Sequence, residues 1–212
     1  MIDINLLLDW GATYKKYKSG EIIFKEDGIC NFYHQLIEGS VRWVNINEDG
    51  KEFIQTMIDT GECFGELPLF DDQAYAATAI ANTHSVVLRL HKSTFLHLIK
   101  ERPDIHLQFS KLLTQRVRYD FLVLKHLAQN DPEQRISSLL CYFKETGKNI
   151  CAQCGQLKLT RQQIADMTGL RVETVIRAMR HMHEKGKLVI KKGKVYYSGK
   201  LSGDMISVIQ EQ

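Results

Sequence analysis

Over the first hundred residues the apolar positions come in short runs, at residues 21–24, 32–37, 41–46, 53–58 and 85–90. Glycines at Gly28, Gly39, Gly50 and Gly61 separate them at an eleven-residue interval. Regular turn signals between short runs predict a rolled all-β domain, with each glycine taking a turn conformation that a side chain resists. From about Ser93 the period lengthens. After Pro103, which opens a helix, Phe109, Leu112, Leu113, Val117, Phe121, Leu124 and Leu127 recur at helical spacing. Leu113, Val117, Leu124 and Leu127 keep a heptad-like interval interrupted by Asp120, while Phe109, Leu112 and Val123 fall on a neighbouring stripe. Two stripes predict two neighbours, the β domain and the same helix of a second chain, although two internal faces give the same pattern.

A break follows at Asn130-Asp131-Pro132-Glu133. Asp131 suits an N-cap and Pro132 a first helical position, which predicts a new helix to about Thr146. Beyond it the stretch LTRQQIADMTGLRVETVIRAMRHMHEKGKL, from Leu159 to Leu188, combines several signals at fixed offsets. Thr160 with Gln163 reads as a capping box, and Ile164 and Met167 give a short helix one buried face. Ala165 is small where two helices would cross, and Gly169 can take the left-handed turn between them. Val175, Met179 and Met182, with Ile176 in part, give the second helix its core side. This is the helix-turn-helix pattern. Runs at 188–190 and 195–197 then flank Lys191-Lys192-Gly193-Lys194, a hairpin with a basic tip that reads as a wing or as a solvated basic turn.

Charge sharpens this picture. Net charge is only +3, yet residues 1–126 carry a net of −3 and residues 127–212 a net of +6. A basic back half beside an acidic front fits a half that meets phosphate joined to one that does not. Glu173 and Arg177 share a face one helical turn apart. Arginine can pair bidentately with guanine O6 and N7, and a carboxylate can accept from cytosine N4; the plain alternative is an exposed helical salt bridge. Lys158, Arg161, Arg171, Arg180 and, at the wing tip, Lys192 suit phosphate contacts.

These residues resemble the cyclic-AMP receptor and fumarate-nitrate regulator family of bacterial transcription factors, over nearly the whole chain. Phe64-Gly65-Glu66-Leu67-Pro68-Leu69 is similar to the opening of the family's phosphate cassette; Leu159-Thr160-Arg161-Gln162 with Val172-Glu173-Thr174-Val175 resembles its recognition region. The resemblance implies an α+β chain. Residues 1–102 would form a β-roll, a jelly roll like those that bind cyclic nucleotides, 103–129 a dimerisation helix, and 130–212 a winged helix-turn-helix. It further implies a homodimer on a palindrome of double-stranded DNA, with RNA polymerase as a candidate partner. Glu173 and Arg177 stand at the positions that read the G·C pair of the family's GA step, with Thr160 and Thr174 beside the phosphates. Val172 replaces the arginine of the cyclic-AMP type, which points to TTGA-like half-sites, and Ile176 replaces a serine facing the outer bases.

The effector pocket departs from the family. Across Phe64, Gly65, Glu66 and Leu67 the opening is kept, but Tyr75 stands at the phosphate-binding arginine and Ala76 at the adjacent hydroxyl. Asp120 and Phe121 replace the threonine and serine that meet the adenine. A buried phosphate without its cation costs several kcal/mol, so cyclic AMP is not the expected effector, and an unidentified small molecule stays open. A sensor module that docks to protein instead of DNA is the alternative reading. No nucleophile–base pair, glycine-rich phosphate loop or metal constellation suggests an enzyme.

Cys30, Cys63, Cys141, Cys151 and Cys154 are too few for a secreted scaffold. For Cys151-Ala152-Gln153-Cys154, reduced thiols are the default, with a disulfide switch or a metal completed by His181, His183 or Cys141 as alternatives. The family's iron-sulfur members carry an N-terminal cysteine cluster that this chain lacks. Lone histidines such as His34 and His84 read as surface or satisfied residues rather than haem ligands. No apolar run approaches the roughly 20 residues of a membrane span, so a cytoplasmic protein without membrane contact is expected.

Overall fold

A computed structural model describes residues 1–127 and 131–197. The expected helix end at 129, Asn130 at the break, and the tail from 198 lie outside the described residues. The chain divides into two compact units, one from Met1 to Val117 and one from Arg118 onward.

The first unit is a roll of two four-stranded antiparallel sheets. One orders β1 (Thr13–Tyr17), β8 (Ser85–His91), β3 (Phe32–Glu38) and β6 (Cys63–Phe64); the other orders β2 (Ile22–Phe24), β7 (Thr78–Ala81), β4 (Val41–Ile46) and β5 (Glu52–Ile58). The short β1, β6 and β7 escaped the sequence reading. In β7 all four residues are buried, and the small side chains of Thr78-Ala79-Ile80-Ala81 show little of the alternation that marks a half-exposed strand. β3 is covered on both faces. Its Leu36 joins Tyr17, Val41, Trp43, Ile58, Phe64 and Val87 inside the roll. Its Tyr33 turns outward to stack on Phe95, ring centroids 4.9 Å apart, within a second cluster. That cluster seats α1 (Ile4–Asp9), α2 (Leu67–Asp71), α3 (Lys92–Glu101) and the start of α4 (Pro103–Leu127) through Leu7, Leu69, Phe95, Leu98, Ile105 and Phe109.

The glycine reading holds at Gly39, Gly50 and Gly61, where φ is +92°, +75° and +89°. At Gly28 it fails: Asp27 takes the left-handed conformation, φ +62°. Gly28 is instead required by space, since a Cβ there would stand 2.9 Å from the Lys25 carbonyl oxygen.

The stripe of α4 that covers the roll matches expectation, with Ile105 and Phe109 buried and Leu112 packed against the same cluster. The outward stripe is shifted. Val117, Phe121 and Leu124 are 52, 68 and 62% exposed and Asp120 is exposed with them, whereas Leu113, expected on that seam, is half-buried, as is Val123. The helix reaches Leu127, the last residue of the expected set.

In the second unit Asp131 caps α5 (Pro132–Thr146), its carboxylate accepting from Glu133 N at 3.0 Å, with Pro132 in the first turn as expected. Tyr119 packs its ring 4.6 Å from that of Tyr142 on α5. Ile136, Leu139, Leu140 and Phe143 are the core face of α5. α6 (Arg161–Thr168) and α7 (Val172–Glu184) pack against it, and the Arg135 guanidinium donates to the Thr168 carbonyl oxygen at 3.1 Å. The hairpin β9 (Val189–Lys191) and β10 (Lys194–Tyr196) completes the unit.

His34 is not the satisfied residue the sequence suggested. Its ring is buried between Phe24 and Phe64, and Nδ1 has no hydrogen-bond partner among the described residues. Burial, reinforced by Arg89 and Lys15, pushes its pKa down to about 3. The folded roll therefore holds a neutral imidazole, while the unfolded chain binds a proton near pH 6.5. Between these values the unfolded state carries more protons, so stability falls as pH falls, by about 1.4 kcal/mol per pH unit at most. Urea unfolding followed by Trp43 fluorescence should show a steeper acid loss in wild type than in His34→Gln; equal slopes contradict this role.

Candidate nucleic-acid interface

Thr160 Oγ1 accepts from Gln163 N at 3.1 Å while Gln163 Oε1 accepts from Thr160 N at 2.9 Å, which makes the capping box complete and fixes where α6 begins. Eight residues later the chain turns at Gly169, φ +66°, and Leu170 N donates back to the Ala165 carbonyl at 3.1 Å. Ile164, Ala165 and Met167 are buried. On α7 the buried residues are Val175, Ala178, Met179 and Met182, a stripe at successive helical spacings. Burying that stripe decides what the opposite face presents. Glu173, Ile176, Arg177 and Arg180 are exposed there, with Val172 and Thr174 half-buried at the helix start.

Arg171 precedes α7 with extended backbone, φ −76° and ψ 146°, and makes no side-chain cap. The Arg171 side chain thus leaves uncapped the first N–H groups of α7, which stand at the positive end of the helix dipole, where an anion is favoured. Lys158, Thr160 and Arg171 are exposed nearby in sequence, and Arg161 is half-buried. At the wing tip Lys192 and Gly193 both have positive φ, +48° and +77°, the two-residue turn that matches strand twist. Lys192 and Lys194 are exposed at it. The residues expected to read bases and those expected to meet phosphates therefore lie on one unit.

The other end of α7 is tied down by a cluster that sequence reasoning missed. Glu133 on α5 accepts from His181 Nδ1 and pairs with Lys185 Nζ at 3.4 Å and Lys187 Nζ at 3.8 Å. No spacing rule signals such pairing across helices.

In the roll, Phe64, Gly65, Glu66 and Tyr75 do come together. Glu66 is fully buried and ion-paired to Arg116 of α4 at 2.7 Å. Burial pushes its carboxyl up from the ordinary range, against the pull of Arg116. Arg116 also donates to the Cys63 carbonyl at 2.7 Å and lies over the Trp43 ring. It too was missed; its one signal was a cation lodged between the apolar stripes of α4. Tyr75 is buried and stacks on Phe24 with ring centroids 3.8 Å apart. A Cβ at Gly65 would meet the Phe24 ring at 2.5 Å. Leu67 and Ala76 are exposed, and Ala77 instead of Ala76 points into the roll. Asp120 and Phe121 belong to the second unit. Among the described residues no group of three metal-ligating side chains is gathered, so neither His181, His183 nor Cys141 completes a site with Cys151 and Cys154.

A roll followed by a winged helix-turn-helix with an outward polar recognition face defines a DNA-binding transcription regulator with an effector-type domain. The cyclic nucleotide-binding domain model matches residues 14–102 and the Crp-like helix-turn-helix domain model residues 134–197. The cAMP-activated global transcriptional regulator CRP of Pasteurella multocida is 31% identical over 187 residues, covering 86% of this chain and 90% of that protein. The cyclic AMP receptor protein of Thermus thermophilus is 26% identical, covering 84% and 81%. The solved structure of FixK2 from Bradyrhizobium japonicum shares the fold, with a TM-score of 0.76 at 20% identity over 92% of this chain and 96% of that one. The chain belongs to the CRP/FNR family of transcription regulators.

Removing the N-cap oxygen tests the local construction of this head. Thr160→Ala should weaken α6 by about 1 kcal/mol, seen as roughly fivefold faster amide exchange at Ile164 and Met167, with Thr160→Ser near wild type. Unchanged exchange in Thr160→Ala contradicts the capping role.

Proposed function

We propose that this regulator acts as a homodimer on a two-fold DNA site with TTGA-like half-sites, reading them with Glu173 and Arg177, and that it does not respond to cyclic AMP. The observation that carries the reading is the pair Glu173 and Arg177, exposed one turn apart on α7 while the opposite face of the helix is core. Arg177 takes guanine O6 and N7, and Glu173 accepts from a cytosine N4. Val172 and Ile176 flank them with apolar surface. Lys158, Thr160, Arg161, Arg171, Thr174, Arg180 and Lys192 bind phosphates and set affinity without reading bases. Half-sites one helical turn apart require two heads. The exposed apolar residues Val117, Phe121 and Leu124 on α4 supply the surface through which a second copy joins.

Relatives named as cAMP-activated make the roll an effector domain by kinship, but its interior does not fit the cyclic phosphate. Where the anion needs a cation and a hydroxyl, Tyr75 is stacked on Phe24, and Arg116 is already paired to Glu66. The second oxygen of Glu66, Oε2, has no hydrogen-bond partner among the described residues. That favours an effector with a donor group over one with a phosphate. A regulator that works on DNA in this way acts in the cytoplasm; in support, among the described residues no helix is long and apolar enough to cross a membrane.

Selection from random DNA should return a palindrome with TTGA-like halves; recovery of no two-fold motif rejects the reading and favours a protein-docking sensor. Against the selected site, Arg177→Ala should lose roughly 1–3 kcal/mol and relax one base pair. Lys192→Ala should instead weaken all sequences alike and reduce the salt slope by about 1. Titration calorimetry with cyclic AMP should show no saturable binding; binding in the micromolar range overturns the effector claim.

A further inference from the structure

The cysteine pair Cys151 and Cys154 lies outside the reading head and the roll, yet the fold holds it in a defined geometry. Gly155 N donates to the Cys151 carbonyl at 2.9 Å, and Cys151 N donates to the Gln156 carbonyl at 2.8 Å. The first bond closes an α-turn, a single helical turn, so the two cysteines sit three residues apart on one face and within the reach that a disulfide spans. The turn has no freedom to drift. Gly155 has φ +69°, and a Cβ on it would stand 2.8 Å from the Tyr197 carbonyl oxygen. Tyr197 N donates to the Gly155 carbonyl at 2.9 Å and Leu157 N to the Val195 carbonyl at 2.8 Å, binding the turn to β10 of the wing. Three residues after Leu157 comes Thr160, the N-cap of α6.

The donors of this turn, the Cys154 backbone N–H and thiol and the Gln153 backbone N–H, lower the pKa of the Cys151 thiol, with Lys158 adding positive charge. Those donors favour the thiolate and hold the Cys151 thiol below its ordinary range. Cys151 is half-exposed and Cys154 exposed, while Cys30 and Cys63 are buried. A thiolate that is reachable, with a second exposed thiol three residues on in the same turn, is the arrangement of an attacking cysteine with its resolving partner.

We propose that Cys151 and Cys154 form a redox-active dithiol in the DNA-binding unit, with Cys151 as the nucleophile, which exchanges with low-molecular-weight disulfides. The Cys151 thiolate attacks one sulfur of the small disulfide, forming a mixed disulfide and releasing one small thiolate, which takes a proton from water. Cys154 then loses its proton and attacks the Cys151 sulfur, closing the protein disulfide and expelling the second small thiol. Two electrons and two protons leave the protein, and one small disulfide becomes two thiols. Neither step involves DNA, so the chemistry stands or falls apart from base reading.

The full-length protein is equilibrated in glutathione buffers from reducing to oxidising, acid-quenched, labelled with N-ethylmaleimide after denaturation, and mapped by mass spectrometry. The expected product lacks two hydrogens and both labels on the peptide carrying Cys151 and Cys154, while Cys30, Cys63 and Cys141 stay labelled. Cys154→Ser should trap glutathione on Cys151 at least about tenfold faster than Cys151→Ser traps it on Cys154. The proposal is overturned if both cysteines remain labelled at the oxidising end. It is equally overturned if wild type keeps a stable glutathione adduct without closing, if the two variants react at equal rates, or if metal retained from purification blocks both thiols.

Discussion

The burial of one apolar stripe on α7 governs everything this chain can do with DNA. Val175, Ala178, Met179 and Met182 must leave water together, and each large side chain so buried contributes on the order of 1.5–3 kcal/mol. A helix has only one orientation that satisfies this demand, and it leaves Glu173 and Arg177 pointing away from the core. α6 has to be short and end abruptly for the stripe to find its partner, which is the work of the Thr160–Gln163 box at one end and left-handed Gly169 at the other. The cluster of His181, Lys185 and Lys187 on Glu133 holds the far end of α7 to α5. The polar face is thus a consequence of the apolar one.

The roll obeys a similar constraint with a different outcome. A jelly roll encloses an interior that side chains or a ligand must fill. Here Phe24, Phe64, Tyr75 and His34 fill much of it with stacked rings, and Gly65 is glycine because the Phe24 ring occupies the space a Cβ would need. The fully buried Glu66 is paired with Arg116 here, in keeping with the cost of an isolated buried charge.

Much of this was legible before any coordinates. The capping box, the glycine pivot, the Asp131-Pro132 helix start and the wing were readable because each depends on a local rule that names a residue type at a fixed offset. Strands β1, β6 and β7 were not: β1 is exposed over its first four residues, β6 is two residues long and β7 is buried throughout, so none of them shows an alternating period. The seam on α4 was half read. Val117, Asp120 and Leu124 are exposed, but Phe121 joins them while Leu113 turns partly inward, a difference that spacing alone cannot resolve. Arg116, the Glu133 cluster and the orphaned Nδ1 of His34 were invisible because each exists only through residues far away in sequence.

The most direct test of the central claim is methylation interference on the selected operator. Dimethyl sulfate marks guanine N7 in the major groove and adenine N3 in the minor groove. The account predicts that methylating one guanine in each half-site abolishes binding, and that this sensitivity disappears in the Arg177→Ala protein. Interference confined to adenine N3, or guanine interference that persists without the arginine, would contradict it.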